Sequence, residues 1–353
     1  MNRDQHPEIE QYLDALRSGD RGAAATVARS ALDSGLSGET VISELLAVAQ
    51  AAIGLGWQEN RWTVAAEHRA TAITESVLQD VVSRAMTVPG MPDEGSLGRT
   101  LVLCPEGEWH TLPGRMAAAV LRLRGVEVSF VGPSLPASQI PALLADEGAG
   151  AVALTCSLPS SLVGAWRTIT ELRAFGTHVV CGGRGFGTDA SWALTLGADR
   201  WMPTFSGGAD VLIEMLQEPP PLPRMPTALG RAAEEVALVG RRQVAIVEAA
   251  TEAALLHWPA LRTNDDAVSA TRDDLASTLR ILTAATLVHD PQLVTSHVVW
   301  FEDVIAARRL PLAFVSASFA LLLEALPEEA EATRSLAQVG LDACTQPPFA
   351  PMS

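Results

Sequence analysis

The sequence predicts a multidomain protein that combines α and α/β parts: a helical bundle, a doubly wound parallel sheet and a second helical region. Apolar residues recur at helical spacing over 7–87, short apolar runs alternate with helical segments from residue 100, and helical spacing returns after residue 228. The chain of 353 residues is long enough for two or three separate cores. We therefore predict domains at 1–88, 99–217 and 228–345.

The first domain is predicted to be a bundle of four helices. Polar segments at 18–20, 34–39 and 58–60 interrupt its helical spacing and contain residues that favour helix ends. A linker rich in proline and glycine, 88–100, follows the bundle and indicates a domain boundary.

The second domain is predicted to be a parallel sheet whose strands are covered on both faces. The predicted strands are 99–104, 126–132, 151–156 and 178–183, and the crossover helices between them are 112–125, 137–149 and 162–176. Such sheets bind ligands beyond the carboxyl ends of their strands. We therefore expect the ligand edge to be formed by the loops 104–113, 131–136, 155–161 and 181–187.

The third domain follows a proline-rich linker, 217–227, and is predicted to be entirely α-helical. Its helical segments run one after another through 228–342, and no strand pattern competes with them.

Composition excludes several functions. The net charge of −16 and the lack of a basic stripe argue against direct nucleic-acid binding, because phosphate contacts supply most of that affinity. All 25 basic residues are arginines, which excludes a Schiff-base lysine and a Walker-type phosphate loop. No nucleophile–base pair is apparent, so we do not expect an enzyme.

Cysteine placement and targeting patterns indicate a reduced, cytoplasmic protein. Cys104, Cys156 and Cys181 lie within apolar strand-like segments and Cys344 stands apart, which is typical of packed thiols. The N-terminus does not resemble a secretion signal, and no run of eighteen or more apolar residues occurs, so we expect no membrane contact.

His110 is the first residue that points to chemistry. It lies in the loop after the first strand, with Glu108 two residues before it and Pro113 placed for the first turn of the next helix. A carboxylate beside a histidine can hold one ring nitrogen and raise the basicity of the other, as in many metal sites. The alternative is a loop histidine without a role.

Two later loops of the predicted sheet carry small residues at the same edge. One contains the hydroxyl residues Thr155, Ser157 and Ser161, and the other contains Gly182 and Gly183, which allow a large group to approach the backbone. A dinucleotide site is the weaker interpretation, because no Gly-x-Gly-x-x-Gly motif follows the first strand.

These loops together resemble the Rossmann-like cobalamin-binding domain of methionine synthase and its relatives. Glu108, His110, the Thr155/Ser157 loop and Gly182-Gly183 match the family's motif, and the spacing from His110 to Gly125 also fits. The resemblance implies that His110 is the lower axial ligand of cobalt and that the nucleotide tail of the cofactor enters the sheet. Pro113 stands where the family has glycine, although Gly114 is adjacent.

The stretch 56–68 resembles the signature of the CarH-type photoreceptors, which bind adenosylcobalamin. Trp57 is separated by nine residues from Glu67 and His68. The resemblance implies that Trp57 packs on the adenosyl group and that Glu67 hydrogen-bonds it, which agrees with the π-face of adenine and the hydroxyls of ribose. The bundle would then cap the upper face of the corrin.

Two points qualify this second resemblance. Gln58 replaces the histidine that captures cobalt after illumination in the CarH-type proteins, so water or His68 would take the upper position. The structural alternative is core packing for Trp57 and an exposed ion pair for Glu67 and His68. Core packing is the expected role of Trp62.

The complete arrangement resembles the photocobilins, photoreceptors that carry cobalamin and biliverdin. The resemblance implies a globin-like third domain with a noncovalent biliverdin pocket, for which Asp273, Arg280, His297 and Trp300 are the candidates. The alternative for this domain is a helical core with one satisfied histidine.

The predicted function is therefore light sensing, in which cleavage of the cobalt–carbon bond changes contacts with a separate effector protein. Two alternatives remain open: a corrinoid methyl carrier of a methyltransferase system, and a light-independent cobalamin sensor. The sequence leaves open whether the protein forms a homo-oligomer.

Overall fold

The computed structural model describes residues 7–222 and 229–349, which form two compact units. Among the described residues, one unit comprises 7–158 and 164–222, and the other comprises 159–163 and 229–349. The N-terminal helices and the parallel sheet share the first unit, so the predicted linker at 88–100 lies within it.

Four helical segments precede the first strand. They are α1 (Pro7–Ser18), α2 (Arg21–Asp33), α3 (Gly38–Gln58, with a π-helical stretch at Val41–Leu46) and α4 (Val64–Ala85). Side-chain hydrogen bonds start several of them: Asp20 accepts from the Ala23 N–H at the start of α2, and Thr63 accepts from the Ala66 N–H at the start of α4. The helix breaks at the predicted polar segments are confirmed.

Helix α3 is apolar enough to satisfy a membrane-span criterion, with 21 residues and a mean hydropathy of 1.4. Some of its apolar side chains lie in the bundle core, where Ile42, Leu46 and Ile53 are fully buried with Tyr12 and Leu16. Packing of these residues accounts for part of its hydropathy, and a core helix passes the same test of length and composition.

Five parallel strands form the sheet in the order β2-β1-β3-β4-β5. The strands and helices of this part are β1 (Arg99–Leu103), α5 (Leu112–Leu123), β2 (Glu127–Val131), α6 (Ile140–Glu147), β3 (Ala151–Thr155), α7 (Leu162–Ala174), β4 (His178–Gly182), α8 (Ser191–Thr195), β5 (Arg200–Met202) and α9 (Phe205–Gln217). The predicted strands and crossover helices are confirmed, and β5 is an addition. This short strand begins with Arg200 and lacks the apolar run that indicated the other four.

A buried ionic cluster fixes the amino end of the sheet. The Asp199 carboxylate accepts hydrogen bonds from the Arg173 guanidinium at 2.9 Å and from the backbone N–H of Val179 at 2.7 Å, and it lies 3.1 Å from His178 Nδ1. All three ionisable side chains are almost fully buried. The cluster ties β4 to the segment that enters β5, at the end of the sheet opposite His110.

The described part of the second unit is helical between 229 and 349 and contains no strand there. Its helices are α10 (Gly230–His257), α11 (Asp265–Val288), α12 (Pro291–Ala307), α13 (Ala313–Ala325) and α14 (Glu331–Ala343). Gly340 allows α13 and α14 to cross closely, because a Cβ there would overlap the ring of Phe319.

Candidate functional site

The site lies at the carboxyl edge of the sheet, beside β1, because the strands that follow β1 in sequence are placed on both sides of it. Strands β1 and β3 are neighbours in the sheet, while β2 lies on the far side of β1. The loops after β1 and β3 therefore face each other across the crevice in which ligands of such sheets bind. His110 lies in the first loop and Ser157 in the second.

Glu108 joins these two loops through a buried carboxylate that is 1% exposed. Its Oε1 accepts from the backbone N–H of His110 at 2.8 Å and lies 2.7 Å from His110 Nδ1. Its Oε2 accepts from the backbone N–H groups of Ser157 at 2.6 Å and Leu158 at 3.2 Å. Burial raises the pKa of Glu108, but the hydrogen bonds from His110 and Ser157 outweigh it and lower the pKa overall.

His110 is thereby held in one orientation. Because Nδ1 faces Glu108, the other ring nitrogen, Nε2, is directed away from the carboxylate, and the side chain is 55% exposed. The hydrogen bond to Glu108 raises the pKa of His110 despite partial burial, and the charge of Glu67 raises it further. A neutral imidazole held in this way offers the Nε2 lone pair to a metal.

The residues fit a metal that is held mainly by a cofactor rather than by protein side chains. Among the described residues, no group of three or more His, Cys, Asp or Glu side chains could hold a metal ion. His110 is a single, oriented imidazole, and Trp109 (70% exposed) and Leu158 place apolar surface beside it. One axial nitrogen beside an apolar surface suits the cobalt of a corrin, whose ring supplies four nitrogens.

Gly114 allows the first turn of α5 to lie directly against β3. A Cβ at this position would lie 2.8 Å from Thr155 Oγ1 and 2.9 Å from the ring of Phe130. Pro113 occupies the first turn of α5, as its fixed φ predicts. The chain therefore makes its close approach to β3 at Gly114, next to the position where Pro113 replaces the family's glycine.

The other residues predicted for this edge have mixed environments. Thr155 and Ser161 are buried, and Ser157 contributes its backbone N–H to Glu108. A Cβ at Gly183 would overlap the carbonyl of Cys156, so at this position the chain itself makes the close approach. Gly182 has ordinary space around it.

Trp57, Glu67 and His68 lie where α3 ends and α4 begins. Trp57 is partly buried against the bundle core, and Glu67 and His68 lie in the first turns of α4. Glu67 Oε2 lies 2.6 Å from His68 Nδ1, and Oε1 accepts from the Thr71 hydroxyl at 2.9 Å. The influence of Glu67 on the pKa of His110 indicates that this helix end is close to the His110 loop.

A second contact ties the bundle to the same loop. Glu75 of α4 accepts a hydrogen bond from the Thr111 hydroxyl at 3.3 Å and pairs with Arg115 of α5 at 3.5 Å. Thr111 directly follows His110.

The candidates in the C-terminal helices fall into two groups. His297 is buried, lies 3.5 Å from the Thr278 hydroxyl, and stacks with Trp300 at a ring distance of 5.5 Å. Burial lowers the pKa of His297 to about 4, so its imidazole is neutral at pH 7. Asp273 and Arg280 are exposed on α11, seven residues apart. Partial burial lowers the pKa of Arg280, and the charge of Asp273 opposes this shift.

Sequence reasoning missed a set of polar residues inside the N-terminal bundle: Tyr12, Gln50, Thr71 and Thr74. They form a hydrogen-bonded chain that ends at Glu67. The sequence feature that indicates this network is the spacing of Glu67, Thr71 and Thr74 at i, i+4 and i+7, which places these polar residues on one face of a helix.

Comparison with known proteins identifies the class to which this fold and site belong. Residues 98–206 match the model of the B12 binding domain, and residues 8–79 match a second B12 binding domain model. No curated protein matches the chain. With the Glu108–His110 geometry, these matches define a cobalamin-binding protein.

Solved structures that match this chain include corrinoid proteins. The monomethylamine corrinoid protein of Methanosarcina barkeri is 15% identical with a TM-score of 0.51, and the match covers 59% of this chain and 98% of that one. The methanol:cobalamin methyltransferase complex of the same organism is 16% identical (TM-score 0.32; 62% and 81% covered). A cobalamin-binding protein of Desulfitobacterium hafniense DCB-2 is 17% identical (TM-score 0.32; 57% and 96% covered). At these identities, the first match shows a shared fold.

Proposed function

We propose that the protein is a photoreceptor that binds adenosylcobalamin, with His110 below the cobalt and Trp57, Glu67 and His68 above the corrin. The observation that carries the proposal is the position of Glu67 in the first turns of α4, the helix whose Glu75 accepts a hydrogen bond from Thr111 in the His110 loop. The charge of Glu67 also raises the pKa of His110. The bound cofactor supplies a light-sensitive cobalt–carbon bond. The N-terminal bundle is the cap of this site.

Each side chain has a specific part in this proposal. Glu108 holds His110 so that Nε2 is available as the lower ligand, and Trp57 offers a flat apolar ring to the adenine. Glu67 offers carboxylate oxygens to the ribose hydroxyls. A change at the cap would alter contacts with a separate effector protein in the cytoplasm.

The proposal includes a second chromophore. Biliverdin would bind without a covalent bond in the C-terminal, globin-like helices, near Asp273, Arg280, His297 and Trp300. Support comes from the stacked His297 and Trp300 rings and from the exposed cation of Arg280, which could pair with a propionate.

A corrinoid methyl carrier is the second candidate. Trp109 favours it, because a large apolar side chain that is 70% exposed beside His110 is suited to docking a methyltransferase. A carrier needs an open upper face and gains nothing from an adenosyl-binding set at Trp57 and Glu67.

The choice of upper ligand tests these two candidates directly. Affinities for adenosylcobalamin and methylcobalamin would be measured in the dark for the native chain, Trp57→Ala and Glu67→Gln. The photoreceptor proposal expects both variants to bind adenosylcobalamin at least tenfold more weakly and methylcobalamin unchanged. Glu59→Gln is the matched control, because Glu59 is an exposed acid near the same helix end. Equal affinities for native and variant chains would contradict the proposal and favour the carrier.

Illumination tests the sensing step. Absorption spectra and hydrodynamic radius would be recorded in the dark and after green light, with free adenosylcobalamin as the control for photolysis without protein. We expect a hydroxo- or aquo-type corrin spectrum together with a change in the protein's radius or partner contacts. A spectral change with an unaltered protein would remove the sensing function.

A further inference from the structure

A chain of polar side chains crosses the apolar core of the N-terminal bundle. The Tyr12 hydroxyl donates to Thr74 Oγ1 at 3.2 Å, and Gln50 Nε2 donates to the same oxygen at 2.7 Å. The Thr71 hydroxyl lies 3.3 Å from Gln50 Oε1 and 2.9 Å from Glu67 Oε1. Tyr12 and Thr74 are completely buried.

The hydrogen-bonded side chains connect three helices, two of which carry residues of the candidate site. Glu67, Thr71 and Thr74 lie along one face of α4, while Tyr12 lies on α1. Gln50 is on α3, seven residues before Trp57, and so lies near the same face of that helix. Both residues predicted to contact the adenosyl group therefore belong to the helices that the chain connects.

The number of hydroxyl protons determines which hydrogen bonds between these side chains can switch partners. Thr74 Oγ1 accepts from both Gln50 and Tyr12, so its own proton is directed elsewhere. Thr71 has one hydroxyl proton and two acceptors within reach, Glu67 Oε1 and Gln50 Oε1. Its hydroxyl can donate fully to only one of them at a time, and the shorter distance favours Glu67.

We propose that Thr71 is a positioning residue: its single proton orients the Glu67 carboxylate and couples it, through Gln50 and Thr74, to Tyr12 on α1. His68 Nδ1 holds the other carboxylate oxygen at 2.6 Å, so the two contacts together fix the plane of the carboxylate. The assignment of Glu67 to the ligand rests on the proposed function, whereas the coupling is a property of the protein alone.

The physical reason for coupling is that Tyr12 and Thr74 are completely buried, and a buried polar group without a hydrogen-bond partner is destabilising. When Glu67 accepts from another donor or loses its charge, Thr71 is released to donate to Gln50 Oε1. The Gln50 amide is then polarised, and its donation to Thr74 and the environment of the Tyr12 hydroxyl change with it. Burial keeps Tyr12 a neutral donor, because it raises the Tyr12 pKa to about 12.

The sequence supplies a unique probe, since Tyr12 is the only tyrosine. The full chain would be labelled with 3-fluorotyrosine, which places a single fluorine on Tyr12, and ¹⁹F NMR spectra recorded without cofactor. Four chains are compared: native, Glu67→Gln, Thr71→Val and the double variant. We expect Glu67→Gln to move the resonance by more than its linewidth in the native background and not in the Thr71→Val background.

Two further variants make the result specific. Thr71→Ser keeps the hydroxyl and should restore the response to Glu67→Gln. Glu75→Gln removes an acid from the same helix whose contacts lead to Thr111 and Arg115, so it should leave the resonance in place. An unmoved resonance in Glu67→Gln, an equal movement in both backgrounds, or an equal movement in Glu75→Gln would each overturn the coupling.

The experiment separates this coupling from the proposed function, because it uses the protein without cofactor. Loss of adenosylcobalamin selectivity, measured separately, would remove the ligand role of Glu67 and leave the coupling intact. If the fluorine experiment fails while selectivity for adenosylcobalamin is intact, the coupling is removed and the ligand role of Glu67 remains.

Discussion

The carboxylate of Glu108 has two structural tasks. It orients the imidazole of His110 and accepts backbone hydrogen bonds from the loop after β3, so one side chain holds both sides of the ligand crevice. Its charge is favourable in a buried position because four N–H groups surround it.

Replacement of Glu108 should therefore destabilise the protein even without cofactor. In Glu108→Gln the amide nitrogen must face backbone N–H groups or the imidazole, and hydrogen bonds to a charged group are worth roughly 1.5–3 kcal/mol. We expect the free energy of unfolding to fall by about 2–3 kcal/mol, measured by urea denaturation. Glu106→Gln is the matched control, because the Glu106 side chain is 42% exposed and forms a 3.7 Å ion pair with Arg167. Equal stability of the two variants would contradict the assigned role.

His297 gives the C-terminal helices a dependence on pH. Its folded-state pKa is lowered to about 4 by burial, from an ordinary value of 6.5, so the unfolded chain binds the proton more readily. The stability that this group contributes is present above pH 6.5 and is lost as pH falls towards 4, by roughly 3 kcal/mol. Urea denaturation at pH 7.5 and 4.5 should show a smaller loss in His297→Leu than in the native chain.

The control for this titration is His289→Asn. His289 is exposed at the end of α11 in the left-handed conformation, with φ of 55°, which asparagine also tolerates. This variant removes an exposed histidine and is compared with the variant that removes the buried one. The interpretation fails if His289→Asn and His297→Leu reduce the acid sensitivity equally.

At the residue scale, the sequence was sufficient to identify Glu108 and His110 because the two side chains are hydrogen-bonded to each other and lie close together in the sequence. Only two positions separate them, so the spacing itself indicated the hydrogen bond that the structure contains. The contact of Glu108 with Ser157 depends on strand order, and the chain from Tyr12 to Glu67 depends on how three helices pack. Single-sequence patterns carry no direct signal for such distant pairs.

Helix α5 is positioned by a residue that has no side chain. Gly114 lies in its first turns, where a Cβ would be 2.8 Å from Thr155 Oγ1 and 2.9 Å from Phe130. Gly114→Ala should therefore lower the free energy of unfolding by about 1–3 kcal/mol, the usual cost of overpacking. Urea denaturation measures this loss.

Gly54→Ala is the matched helix control for that substitution. Gly54 lies in α3, and a Cβ there meets nothing within 4 Å, so only helix propensity should change. We expect a gain of up to about 1 kcal/mol. A loss at Gly54 as large as that at Gly114 would mean that crowding against Thr155 is not the cause.

At the scale of elements, the periodicity of apolar residues was sufficient to predict most of the helices and strands. The four apolar strands and the helices between them follow directly from patterns of burial on both faces or on one face. The fifth strand escaped because three residues carry too little pattern, and its place in the sheet is fixed by pairing with β4 instead.

At the scale of the whole molecule, the residues proposed for cobalamin and those proposed for biliverdin lie in different compact units. His110 lies within the residues matched by the B12 binding domain models, whereas His297 lies outside them and in the other unit. The proposed biliverdin site therefore needs its own test, independent of cobalamin.

A pair of histidine variants provides that test. The full chain would be mixed in the dark with adenosylcobalamin and biliverdin, and the bound absorption measured after removal of free ligand. We expect His110→Ala to alter the corrin bands and leave the red-absorbing bilin band, and His297→Ala to do the opposite. Because the buried His297 stacks with Trp300, its loss should shift or abolish the bilin band rather than alter the corrin. A native chain that retains cobalamin but no biliverdin would make the C-terminal helices a structural domain, in which His297 is a packed core histidine.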